Sequence, residues 1–123
     1  MTTAPTYHST TERLSFLGRL VLTSGVQNWI DTGVAPYADE PTAMSIEWRR
    51  HTVAVLFTSH ASGDQLDCCD EDHRLNQEVF HNPGCGDRIV SVFDRMNIGK
   101  MYCITDAYGT PDAITTILFS AEY

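Results

Sequence analysis

Strand-like patterning of apolar residues is clearest in the last third of the chain. Residues 88–94 (RIVSVFD) and 100–105 (KMYCIT) are rich in β-branched and aromatic residues and predict two strands, with Arg95-Met96-Asn97-Ile98-Gly99 as the hairpin loop between them. Tyr108-Gly109-Thr110-Pro111-Asp112 predicts a second turn, and residues 114–119 (ITTILF) a third strand. Near the start, residues 18–23 (GRLVLT) read as one more strand. Helical spacing occupies the middle. Ser24 is a plausible N-cap for residues 25–32, which place Val26, Trp29 and Ile30 on one face before Gly33 in the C′ position. From Ala43 onward, Met44, Trp48, His51 and Val55 recur at i, i+4, i+7 and i+11 and predict the apolar face of a helix. Residues 53–57 (VAVLF) are apolar throughout, so periodicity leaves helix and strand both open there. Residues 34–42 and 59–67 read as loops. Asp70, Glu71 and Asp72 sit where carboxylates favour a helix N-terminus, with Leu75, Val79 and Phe80 as the apolar face and Asn82-Pro83-Gly84 as the stop.

Residues 1–10 are polar and read as a flexible lead-in, leaving a single domain over 11–123. The expected class is α+β, with short helices packed on a C-terminal antiparallel β-meander and the 18–23 strand as an N-terminal addition. Ile89, Ile104 and Ile117 are expected in its hydrophobic layer, with Trp29, Trp48, Tyr102 and Phe119 as core anchors.

At 123 residues with 42% hydrophobic and 20% charged positions, the chain has the composition of one ordinary globular domain. Its net charge of −8 argues against direct binding to nucleic acid or to an anionic membrane surface. No stretch has the length of a transmembrane helix and the N-terminus lacks an apolar signal core, so the cytoplasm is the default compartment and the four cysteines are expected to be reduced.

Charge is concentrated in one place. Asp64, Asp67, Asp70, Glu71 and Asp72 put five carboxylates into nine residues. Like charges at that density repel, and they are most stable in water, over a helix N-terminus, or against a cationic partner. Asp39-Glu40 and Glu122-Tyr123 are further exposed candidates for recognition.

The same region holds Cys68, Cys69, His73, His81 and Cys85, all of zinc-ligand type. The close thiols are adjacent rather than spaced as C-x₂-C, which disfavours joint coordination of one ion. The acids likewise miss the calcium-loop pattern D-x-[DN]-x-[DN]-G. No glycine-rich phosphate loop occurs, and no thiol is flagged as a nucleophile by a basic helix-start setting. The expectation is a non-enzyme without metal or cofactor.

Several segments are similar to a group of short, uncharacterised "plasmid-related" proteins carried by bacterial mobile genetic elements. They are Gly18 to Val26, His60 to Asp64, Asp70-Glu71-Asp72 with Asn76 and Glu78, Gly86 to Ser91, Tyr102, Ile104 to Ala107, Thr115 to Leu118, and Glu122-Tyr123. The chain departs from that pattern at Gln65-Leu66, at Cys68-Cys69, around Gly109-Thr110-Pro111, and over residues 33–50. The resemblance implies a context: small acidic accessory proteins of plasmids and phages that blunt host defence.

The sequence therefore leads to an acidic protein that binds and inhibits a host defence nucleoprotein complex, anti-CRISPR or anti-restriction, through a phosphate-like surface. Asp64, Asp67, Asp70, Glu71 and Asp72, with Asp39 and Glu40, are the partner-binding candidates. The partner is a protein with a basic surface, and the chain acts as monomer or homodimer. The alternatives are a regulatory or antitoxin-like binding module and, third, a small metal- or cysteine-dependent hydrolase.

Overall fold

The computed structural model describes residues 14–36, 43–64, 67–85, 87–94 and 99–123. In chain order these form β1 (Arg19–Leu22), α1 (Ser24–Thr32), α2 (Ile46–Ser62), α3 (Asp70–His81), β2 (Ile89–Phe93), β3 (Met101–Asp106) and β4 (Ile114–Phe119), closed by a 3₁₀ turn at Ser120–Glu122. The class is α+β. One four-stranded sheet has the order β1-β4-β3-β2. β2, β3 and β4 are the antiparallel meander, and β1 joins its far side parallel to β4, pairing Leu20 with Thr115 and Leu22 with Ile117.

Each helix end has a chemical reason. The N-cap of α1 is Thr23 rather than Ser24, because the Thr23 hydroxyl accepts from the Val26 N–H at 3.4 Å. The Glu122 carboxylate sits over the same end, accepting from the Thr23 hydroxyl at 2.7 Å, the Gly25 N–H at 3.0 Å and the Phe119 N–H at 3.0 Å. A Cβ on Gly25 would lie 2.5 Å from that carboxylate, so a side chain there would expel it. The sequence reading of Glu122 as an exposed recognition residue is thus corrected: it neutralises orphan donors at a helix start.

Helix α2 settles residues 53–57 as helix and carries it through Ser62, beyond the expected loop boundary at 59. Gly63, at φ 89°, takes the left-handed C-cap, and the Asp64 N–H closes back on the Ser59 carbonyl at 3.0 Å. Its buried face is not the one expected. Arg49, Thr52, Val53, Leu56, His60 and Ala61 point inward, while Trp48 is 62% exposed and His51 and Val55 face solvent. Half of the buried positions are polar, so the apolar period was carried by the wrong residues. Buried Arg49 is neutralised by carbonyls, donating from Nε to Ile30 at 2.9 Å and from its terminal nitrogen to Met44. In α3, Val79 and Phe80 are buried as expected, but Leu75 is 45% exposed and Asn76 takes its inward place.

The side of the sheet facing the helices holds Ile89, Ser91 and Phe93 of β2, Met101, Cys103 and Thr105 of β3, and Thr115, Ile117 and Phe119 of β4, by the pairing register. The larger core packs Trp29, Ile30, Val53 and Leu56 against Met101, Ile117 and Phe119, with Trp29 edge-on to Phe119. A second cluster gathers Leu17, Ala61, Val79, Phe80 and Tyr108 around Ile89. Ile104 is also nearly buried, yet alternation puts it on the opposite side from Ile89 and Ile117. Among the described residues no helix is long and apolar enough to cross a membrane.

Candidate functional site: an acidic helix start beside an open sheet face

The carboxylate-rich segment divides into residues that fold and residues that face water. Asp67 folds. Its N–H donates to the Val92 carbonyl at 3.0 Å, and its side chain accepts from the Asp94 N–H at 2.8 Å. In the second turn of α3, Asn76 pairs with Val90 through both amide atoms, donating to its carbonyl at 2.6 Å and accepting from its N–H at 3.1 Å. Asp67 and Asn76 thereby stand in for a missing fifth strand and close the outer edge of β2, which would otherwise template association. Asp64 is exposed just past the C-cap of α2.

Asp70, Glu71 and Asp72 form the first turn of α3, behind an N-cap, Cys69, that makes no side-chain capping bond. All three are exposed, and none joins a salt bridge among the described residues, whereas Arg74 is engaged with Glu78 at 3.2 Å. The helix dipole favours negative charge at this end. Water carries the remainder. Asp39 and Glu40 lie outside the described residues.

Asp67 and Asp72 meet on one groove of about 410 Å³ over the face of the sheet that α1 and α2 leave open. Its floor is Val90, Val92, Tyr102 and Ile104, and Cys69, Lys100 and Tyr123 complete the lining. Tyr123 is 73% exposed, its ring edge-on to Tyr102 at 6.0 Å, and its hydroxyl accepts from Arg88 at 3.0 Å. Arg88 in turn pairs with Asp106 at 2.8 Å, which raises the guanidinium pKa further. The sequence reading named Asp67, Asp72 and Tyr123 but missed the floor. A signal existed: β2 (IVSVF) and β3 (MYCITD) are apolar at odd and even positions alike, whereas a strand with one wet face alternates.

A second polar cluster is entirely internal. His60 lies between Ser91, 2.5 Å from Nδ1, and Thr105, 2.7 Å from Nε2. Thr105 continues to Thr115 at 2.6 Å, and the Thr115 hydroxyl donates to the Leu17 carbonyl at 2.7 Å. That last bond fixes the direction of the rest. Thr115 has spent its proton, so Thr105 must donate to Thr115 and accept from His60 Nε2–H. Burial lowers the His60 pKa from 6.5 to about 3, so the ring is neutral and Nδ1 accepts from Ser91. Every donor in the chain Ser91–His60–Thr105–Thr115–Leu17 has one acceptor. His60, Ser91, Thr105 and Thr115 are each 0% exposed, so no substrate reaches the serine hydroxyl, and no carboxylate orients the ring. The cluster ties α2 to three strands and to the entry of β1.

Comparison with known proteins returns no matching family model, no matching curated protein and no matching solved structure.

Other chemistry is sparse. Among the described residues no three His, Cys, Asp or Glu side chains converge as metal ligands. Cys68 is half-buried, and burial, with Asp72 and Cys69 nearby, pushes its thiol up to about 11, away from thiolate reactivity. Cys103 is buried in the core and shifted upward by desolvation.

Proposed function

We propose that this chain is a non-enzymatic binding protein of a bacterial mobile element, which inhibits a host defence complex by occupying its basic nucleic-acid groove. The observation that carries the reading is the first turn of α3, where Asp70, Glu71 and Asp72 face water with no salt bridge among the described residues, at the helix end whose dipole favours negative charge. Carboxylates presented together steer encounter with a Lys/Arg surface and compete with phosphates for it. Asp64 adds to the same negative field. Asp67 contributes its charge, although its contacts serve the sheet edge. The resemblance to the plasmid-related group supplies the mobile-element context.

Phage plating tests this. Cells carrying an active restriction or CRISPR system should plate phage about tenfold or more efficiently when they express the chain. The variant Asp70→Asn/Glu71→Gln/Asp72→Asn should lose that gain while accumulating normally. Equal plating with and without the native chain across both defence types contradicts the role, and full activity of the triple variant contradicts the site.

A further inference from the structure

We infer that the groove over β2 and β3 receives an extended segment of the partner, with an aliphatic side chain on its floor and an arginine at its acidic wall. This rests on the basic-partner reading above and names the part of the partner that gives affinity beyond charge. The floor is apolar: Val90, Val92 and Ile104 lie on the side of the sheet away from α1 and α2. An acidic wall, Asp67 and Asp72, stands along it, and an aromatic pair, Tyr102 and Tyr123, completes it. Carboxylate beside exposed aromatic ring is the setting that favours a guanidinium, which forks to the one and stacks on the other, over the compact ammonium of lysine. Lys100, in the same lining, sets the polarity, since it repels a cation and leaves the basic side chain to the Asp67–Asp72 side.

The walls are held before anything binds. Asp67 is fixed by the Asp94 N–H, and the Tyr123 hydroxyl by Arg88, so little ordering is left for the ligand to impose. Strand addition is not the mode at this place, because Asn76 and Asp67 already occupy the outer edge of β2. The segment lies across the face.

The probes are three capped hexapeptides: alternating Arg-Leu, alternating Arg-Ser and alternating Lys-Leu. Titration of the full chain should give an Arg-Leu affinity about tenfold above Arg-Ser and about threefold above Lys-Leu. Val90→Thr with Val92→Thr keeps shape and strand propensity while placing two hydroxyls on the apolar floor, and it should remove most of the Arg-Leu advantage but leave Arg-Ser binding unchanged. In the native chain, the methyl resonances of Val90, Val92 and Ile104 should shift with Arg-Leu and not with Arg-Ser, a reading that needs no variant to fold. If Arg-Ser binds as tightly as Arg-Leu and both weaken in Asp72→Asn, the basic-partner reading stands and the groove assignment falls. If no peptide binds, or binding ignores Asp72→Asn, both fall. Lys-Leu equal to Arg-Leu removes the arginine preference.

Discussion

The two polar clusters of this molecule are built on opposite rules. Around His60, four side chains and one carbonyl form a chain in which each donor meets an acceptor, all out of contact with water. At the start of α3, three neighbouring carboxylates face solvent and nothing inside the described protein neutralises them. A buried polar group without a partner costs roughly 1–3 kcal/mol, so the inner cluster must be complete to be tolerated. An exposed carboxylate costs little, so the outer cluster can be left incomplete and available. The first holds the fold together, and the second is where a partner has something to add.

The sharpest way to break this contrast is to damage the inner chain. His60→Ala leaves the Ser91 donor and the Thr105 acceptor unpaired around a cavity, and it should cost about 3–5 kcal/mol in urea melts. A loss under about 1 kcal/mol would mean the cluster is not structural. Ile117→Ala, in the layer between sheet and helices, should cost about 2–5 kcal/mol. Ile104→Ala should cost less, because it lies on the side of the sheet away from α1 and α2, in the floor of an open groove where water can follow the retreating side chain. Equal losses at the two positions would mean that the outer face is as closed as the inner one.

Protonation tests the inner chain without a mutation. The folded pKa of His60, about 3, lies below its ordinary 6.5, so the unfolded chain binds a proton that the folded one refuses. Its contribution is therefore complete above pH 6.5 and is lost as pH falls toward 3, by about 1.4 kcal/mol per unit. Between pH 6.5 and 5, before carboxylates titrate strongly, stability should drop by about 2 kcal/mol. A flat profile there contradicts a neutral buried ring. Smaller still is Asp67→Ala, which strips the Asp94 N–H of its acceptor and should cost about 1 kcal/mol, with greater self-association as the edge of β2 opens.

How much of this was legible follows from the same physics. The meander could be read because its strands are short, β-rich and separated by glycine turns. β1 was found by its apolar run, but its parallel seat beside β4 depends on contacts across most of the chain length, which no local pattern encodes. Helix α2 was found and its face misassigned, because Arg49, Thr52 and His60 hold buried positions while Trp48 does not. Many residues in the segments singled out from the sequence have structural partners here: His60, Ser91, Thr105 and Thr115 in the inner chain, Asn76 on β2, Arg88 with Asp106, and Glu122 on α1. The acidic site was visible as charge density alone, and sequence could not separate Asp67, bound to the sheet edge, from Asp70, Glu71 and Asp72.

The most direct test of the division between fold and site uses Asp70→Asn/Glu71→Gln/Asp72→Asn, with melting temperature and Arg-Leu peptide affinity measured on the same sample. Loss of a favourable dipole and relief of mutual repulsion oppose each other, so stability should stay within about 1 kcal/mol of the native chain. Affinity should fall about tenfold, and raised salt acting on the native chain should reproduce the fall. A clearly lower melting temperature with unchanged affinity would contradict the account and make these carboxylates part of the helix rather than of the site.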